Sequence, residues 1–265
     1  MSCIQCLFSL CQVIGKNNLV IKYILRYNII VSVLYIVGTP IGNLGDITLR
    51  AIETFKSVDF IAAEDTRHTL QLLNHLEIKK PLISCRAQNE RAGAAKIVEL
   101  LKQGHSVAYA SDAGTPGISD PGAVLVDVVR EAGFQVVPIP GASAFATLIS
   151  VAGSGGKTLI FEGFLSPKPG RRRSRLKELM QTGDAVIIYE SPFRITKLLS
   201  DIADIDSTRR IVVGRELTKL HEEITSGSAG ELRDDYVNRP SIKGEFAVFI
   251  SGTKKIQLSE ESADN

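Results

Sequence analysis

SVAYASDAGTPGISDPG, Ser106 to Gly122, runs from an unbroken apolar segment into a turn holding three glycines, two prolines and two aspartates. A short apolar run closed by such punctuation is the pattern of a strand buried on both faces, as in a parallel sheet. The turn itself has two readings. It is either tight loop chemistry or the wall of a binding site.

Working outward, the same alternation recurs on both sides. Strands are expected at Val33–Val37, Val58–Ala63, Pro81–Ser84, Ser106–Ala110 and Gln135–Pro138, rich in Val, Ile and Tyr and bounded by Gly, Pro or Asp. Between them, Ala94, Ile97, Val98 and Leu101 form one helical stripe, and Leu125, Val128, Val129 and Ala132 another. Strands alternating with helices predict a parallel sheet covered on both faces. A second series follows the glycine cluster Gly153–Lys157. Its strands are expected at Thr158–Phe161, Ala185–Tyr189, Arg210–Val213 and Phe246–Ile250, with helices near Arg171–Gln181 and Arg194–Ala203. The expected architecture is therefore α/β, with two α/β domains at 33–152 and 157–252 hinged at the glycines. Residues 1–32 read as a non-domain extension and 253–265 as a polar tail.

The 265 residues are enough to bury a sizeable core, and 44% hydrophobic with 23% charged residues is ordinary globular composition. A net charge of +2 points to no class of partner. Cys3, Cys6 and Cys11 crowd the N-terminus and Cys85 stands alone, which is no disulfide framework, so a reducing, cytoplasmic compartment is expected. No metal site is expected from the dispersed histidines His68, His75, His105 and His221. The apolar runs of the extension, broken by Lys16, Lys22 and Arg26, fall short of the roughly 20 residues that span a bilayer, and no membrane partner is expected.

Two nucleotide motifs are excluded. The string GSGGKT ends like a phosphate-binding loop, but Val151 stands where that motif needs its first glycine, and a strand-like segment follows instead of a helix. Gly38, Gly42 and Gly45 after the first strand do not fit G-x-G-x-x-G, which disfavours hydride transfer.

Three loops nonetheless lie at the carboxyl ends of expected strands: GTPIGNLGDIT (Gly38–Thr48), SDAGTPGISDPG (Ser111–Gly122) and PIPGASA (Pro138–Ala144). Ligands of open α/β sheets bind outside those ends, so loops distant in sequence can share one pocket. AAEDTRHT, Ala62 to Thr69, is either the acidic start of a helix capped by Asp65 or a functional cluster, since Arg67 and His68 are unexpected in a first turn. Lys168, Arg171, Arg172, Arg173, Arg175 and Lys177 form a basic run with no acid before Glu178. Such a run is a solvated helix face or a surface for a phosphate backbone, and nucleic acid is the favoured reading. YESPFR (Tyr189–Arg194) and RELTKLHEE (Arg215–Glu223) follow strands and either face the same cleft or start helices.

Taken in order, TPIGNLGDITLRA, AAEDTRHT, SDAGTPGISDPG, FEGFL, YESP and RELTKLHEE resemble the ribosomal RNA small subunit methyltransferase I family, cytidine 2′-O-methyltransferases of 16S rRNA in the tetrapyrrole-methylase-like (class III methyltransferase) superfamily. The resemblance runs from about Leu34 to Gly252. It implies S-adenosylmethionine as cofactor, a cleft between two α/β domains, a homodimer, and methyl transfer to the ribose of a decoding-centre cytidine, with 16S rRNA met within the 30S subunit. It places the cofactor against Thr39 and Pro40, against Asp112, Ala113, Gly114 and Thr115, and against Gly141, Ala142, Ser143 and Ala144, with Ser119 to Gly122 completing the wall and starting the next helix. For a general base or a cation beside the developing oxyanion, the matched motifs offer Glu64, Asp65, Arg67, Glu90 and Glu190.

The chain departs from the family pattern in places. Members commonly read Tyr-His-Glu-His-Asn-Glu where this chain has Cys85, Arg86, Ala87, Gln88, Asn89 and Glu90, so no role for those histidines carries over. Ala142 and Phe193 replace a usual proline and histidine. A tetrapyrrole methyltransferase and a non-catalytic RNA-binding relative are the alternatives.

Overall fold

A computed structural model describes residues 32–253 apart from residue 154. The expectations for residues 1–31 and for the end of the polar tail, Cys3, Cys6 and Cys11 included, lie outside the described residues.

The first sheet contains β1 (Val33–Val37), β2 (Phe60–Ala63), β3 (Leu82–Ser84), β4 (Val107–Ala110) and β5 (Gln135–Ile139), in the order β3-β2-β4-β1-β5. Every pairing is parallel. Its helices are α1 (Leu49–Ser57), α2 (Thr66–His75), α3 (Glu90–Lys102) and α4 (Ala123–Glu131). Alternation along the strands divides the core in two. Leu34, Ala62, Val107 and Tyr109 pack against α3 and α4, while Val37, Ile61, Ala108 and Ala110 pack against α1 and α2. The chain therefore leaves β1 and β2 toward one face and β3 and β4 toward the other. Since β4 lies between β2 and β1, a crevice opens at the carboxyl end of β4 on either side.

The second sheet is built differently. It contains β6 (Leu159–Phe164), β7 (Ala185–Glu190), β8 (Arg210–Arg215), β9 (Glu223–Ser228) and β10 (Phe246–Ile250), in the order β6-β7-β10-β8-β9. Only β6 and β7 are parallel, and β10 runs antiparallel between β7 and β8. Helices α6 (Pro169–Gln181), α7 (Ile195–Ile205) and α8 (Ala229–Asn238) cover one face, where Leu176, Leu198, Ile202 and Leu232 meet Val186, Ile188 and Val248. The remaining helix, α5 (Ala144–Ala152), covers the other face, with Leu148 and Ala152 against Ile187, Val212 and Phe249. By packing, the second unit begins before α5, ahead of the expected hinge at Gly153–Lys157. Neither β9 nor α8 was expected from the sequence. The first is an edge strand, EITSGS, with a single large apolar residue, and the second is set by a capping box between Ser228 and Glu231.

Candidate active site

The loops after β1, β4 and β5 are bonded to one another at the carboxyl end of the first sheet. The Thr39 backbone N–H donates to the Gly114 carbonyl at 2.9 Å, the Gly38 N–H to Ile139 at 2.9 Å, and the Thr115 hydroxyl to the Ala142 carbonyl at 3.1 Å. Gly38 and Gly141 approach so closely that a Cβ on Gly141 would stand 2.6 Å from the Gly38 carbonyl, which excludes any side chain at this crossing. Gly114 takes φ +79°, a conformation few other residues adopt.

These loops form one wall of a cavity of about 390 Å³. The facing wall comes from the ends of the second sheet: Phe164 of β6, Tyr189 and Glu190 of β7, Gly214 of β8, Glu245 and Phe246 at β10. Across the cleft, a Cβ placed on Gly163 would stand 3.5 Å from the Ser119 hydroxyl oxygen. Among the residues expected to meet a cofactor, Ala113, Gly114, Thr115, Ser119, Ser143 and Ala144 line the cavity. Thr39, Pro40, Asp112, Gly141 and Ala142 do not. Thr39 and Ala142 support the loops by the bonds given above, and Asp112 accepts the Asp65 backbone N–H at 2.9 Å.

The five catalytic candidates separate in the same way. Glu190 alone lines the cavity. It is buried, its Oε1 accepts the Ser191 N–H and pairs with Arg194 at 2.7 Å, and its buried Oε2 has no hydrogen-bond partner. Asp65 caps α2 and pairs with the exposed Arg67 at 2.7 Å, which holds its carboxyl far below the usual range. Glu90 accepts the N–H groups of Gly122 and Leu125 at 2.8 and 3.1 Å, so its carboxylate caps α4. Glu64 stands at the end of β2, its pKa raised by desolvation and then by Asp112.

Some cavity residues were missed in the sequence. Asp120, within the Ser119–Gly122 segment expected to complete the wall and start a helix but not among the residues expected to meet the cofactor, lines the cavity, with a pKa raised by desolvation first and by Asp112 and Glu245 as well. Phe164 and Tyr189 sat inside quoted strings, and Glu245 opens an apolar strand. Their signal was present as polar or aromatic residues at strand ends.

A family model described as Tetrapyrrole (Corrin/Porphyrin) Methylases matches residues 33–233. A protein of Borrelia garinii called Ribosomal RNA small subunit methyltransferase I is 46% identical over 219 residues, covering 82% of this chain and 98% of that one. Proteins of the same name from Haemophilus influenzae and Thermotoga maritima are 46% and 45% identical, over 87% and 83% of this chain and 82% and 98% of theirs.

This chain belongs to the ribosomal RNA small subunit methyltransferase I family.

The fold of this family member is shared by solved structures. The cobalamin biosynthetic enzyme cobalt precorrin-4 methyltransferase superposes with a TM-score of 0.61 at 16% identity, covering 83% of this chain and 94% of that one. The methyltransferase CobJ gives 0.63 at 16%, covering 85% and 96%. S-adenosylmethionine is the methyl donor of the family. The cavity suits such a molecule: its size is in the range of small-molecule sites, its lining is mostly apolar, and Asp120, which has no ion pair among the described residues, offers a carboxylate to a cationic ligand, while Glu190 and Glu245 are paired with Arg194 and Lys219.

The basic run of this family member is less bare than its sequence implied. Arg172 is buried, 4% exposed, and pairs with the equally buried Asp201 at 2.6 Å. Arg173 takes the other oxygen of Asp201, and Arg175 pairs with Glu162 and Glu178. Among the described residues, Lys168, Arg171 and Lys177 are left without an ion pair. The reading of six uncompensated cations is corrected accordingly, because Asp201 and Glu162 lie on α7 and β6, which only folding brings to this helix.

Proposed function

We propose that this protein transfers a methyl group from S-adenosylmethionine to the ribose 2′-hydroxyl of a cytidine in 16S rRNA, within the 30S subunit, as a cytoplasmic homodimer. The observation that supports it most is the acidic cavity between loop backbone and the strand ends of the second sheet, with one unpartnered carboxylate oxygen in its wall. The names of the relatives supply the small-subunit rRNA.

Bound in the cleft, the cofactor supplies an electrophilic methyl carbon on a sulfonium. Backbone groups of Ala113, Gly114 and Thr115, with Ser119, Ser143 and Ala144, hold it, and Thr39, Pro40, Asp112, Gly141 and Ala142 fix the loops behind them. Stitched loops keep the geometry rigid, which matters because in-line displacement depends on positioning. Glu190 is the base of this reading: Arg194 and the Ser191 N–H hold its carboxylate through Oε1, and Oε2, buried in this structure, would turn to the attacking hydroxyl and take its proton as the methyl carbon leaves the sulfonium and S-adenosylhomocysteine is released. The cations Lys168 and Arg171 stand where α6 begins, just after β6 ends in the cavity wall, and meet phosphates of the RNA.

The test is incubation of the purified protein with labelled S-adenosylmethionine and unmethylated 30S subunits. Label is expected on 16S rRNA, and its absence where a control enzyme methylates the same subunits contradicts the reading.

A further inference from the structure

One feature of the cavity wall is not used by the chemistry above. Strand β6 carries a bulge between Phe161 and Gly163: Phe161 pairs with Ile187, but Gly163 pairs with Ile188 and Phe164 with Tyr189. Residues three apart on a regular strand point to opposite faces. The extra residue, Glu162, resets that phase, so Phe161 and Phe164 both fall on the face of Tyr189. Their rings flank it with centroids at 5.0 and 5.9 Å. Bulges next to sites re-aim side chains, and this one is held by Gly163 at φ +70°. Its product is a phenylalanine in the cavity wall with 57% of its surface in solvent.

A second exposed ring lies on a turn joined to the end of this strand. The turn Ser191–Arg194 leaves the cavity wall at Ser191 and Pro192, and Arg194 donates to the carbonyl of Leu165, the residue after Phe164. Phe193, on this turn, is 88% exposed. Four residues past Phe164 the chain reaches Lys168, and then Arg171 in the first turn of α6, both without ion pairs among the described residues. Open aromatic faces followed by unpaired cations are what a single-stranded nucleic acid requires: a π-face for a base and charge for the adjoining phosphates. Neither feature suits an apolar protein partner, which would leave the cations facing it uncompensated.

We propose that Phe164, with Phe193 on the adjoining turn, is a stacking platform for an unstacked nucleobase of the RNA substrate, and that Lys168 and Arg171 hold the neighbouring phosphates. The proposal rests on the RNA reading above. A nucleotide that leaves the helical stack can bring its ribose hydroxyl into the cleft, and the platform takes the base that has lost its neighbours.

The chain has no tryptophan, so Phe164→Trp in the full-length protein is a single emitter placed at the platform. Protein-free 16S rRNA is titrated against it, with filter retention measuring total RNA binding in parallel. Emission should be quenched in step with retention. With 30S subunits as substrate, Phe164→Ala should lower kcat/KM by roughly tenfold or more. Phe164→Tyr should restore it, Phe164→Leu should not, and because Phe164 also lines the cavity that takes the cofactor, the loss in kcat/KM for 30S subunits should exceed any change in S-adenosylmethionine affinity by calorimetry. RNA retained without quenching, or rescue by leucine, overturns the platform and leaves the methyltransferase reading standing. Emission that shifts with protein concentration alone, before RNA is added, shows a second copy of the chain covering the ring and also overturns it. Absence of both retention and methylation strikes at the RNA reading itself.

Discussion

The two sheets contribute to the cleft in opposite ways. The parallel sheet offers backbone: its loops are held by carbonyl and N–H bonds and by the Gly38–Gly141 crossing, and two of its charged side chains near the cleft, Asp65 and Glu90, serve as caps. The mixed sheet offers large side chains: Glu190, Glu245, Tyr189 and Phe164 line the cavity at strand ends. A backbone-built wall suits a constant ligand, whose groups can be met by the main chain whatever the side chains are. A side-chain wall suits the partner that differs between enzymes of one fold. The same division explains how a 16% identical precorrin methyltransferase can share this fold.

The comparison breaks most visibly inside the second unit. Arg172→Ala leaves Asp201 buried with only Arg173 for company, and should cost about 3 kcal/mol in a urea or thermal unfolding experiment, as breaking a buried pair does. Arg171→Ala, one residue away, should leave stability unchanged. Equal losses for the two would mean that Arg172 is not buried against α7.

Next in size is Glu190→Gln, which keeps the shape of the side-chain wall but removes its charge. It should lower kcat by roughly 100-fold, in the range of general-base losses, with a smaller change in cofactor affinity. Unaltered kcat would move the chemistry away from this wall. Glu90 sharpens the other side. Loss of the α4 cap in Glu90→Ala should cost about 1–2 kcal/mol of stability, while Glu90→Gln, which keeps an accepting oxygen, should retain most of it. Should Glu90→Gln abolish turnover in a fully stable protein, Glu90 acts in the chemistry and not as a cap.

How far the sequence revealed this division depends on how local each feature is. Strands β1 to β5 were legible because a strand covered on both faces is apolar throughout, as in Val107-Ala-Tyr-Ala110, and the loops punctuating them are rich in Gly and Pro. The cavity's backbone wall followed from strand ends alone. What stayed hidden depends on partners distant in the chain. Arg172 meets Asp201 across 29 positions, Glu90 meets Gly122 across 32, and the bulge at Glu162 shows only in the register of β6 against β7. Strand β9 was missed for the complementary reason, as a half-exposed edge needs few apolar residues.

A smaller effect comes with pH. Asp120 and Glu64 have pKa values raised chiefly by desolvation, so each binds its proton more tightly folded than unfolded. Their contribution to stability is greatest in acid and is lost as pH rises from about 4 through the raised values. Cofactor binding should run the other way, since a cationic ligand favours the ionised Asp120. Calorimetry should show affinity falling on acidification through that range, and less steeply in Asp120→Asn. An unchanged slope would remove Asp120 from the site.

The smallest effect concerns the free cations. Replacing Lys168 and Arg171 together with alanine should reduce the salt dependence of RNA binding by about one unit of slope for each phosphate that is no longer neutralised, without affecting cofactor affinity. Neutralising Arg175, which is paired with Glu162, should change the slope less.

The most direct measurement is nucleoside analysis of 16S rRNA after methylation of 30S subunits by the purified protein. Digestion to nucleosides and fragmentation by mass spectrometry locates the added methyl on base or sugar. The account predicts 2′-O-methylcytidine, formed by the wild type and strongly reduced with Glu190→Gln. A methyl group on the base, or on no nucleoside of the 16S rRNA, would contradict it.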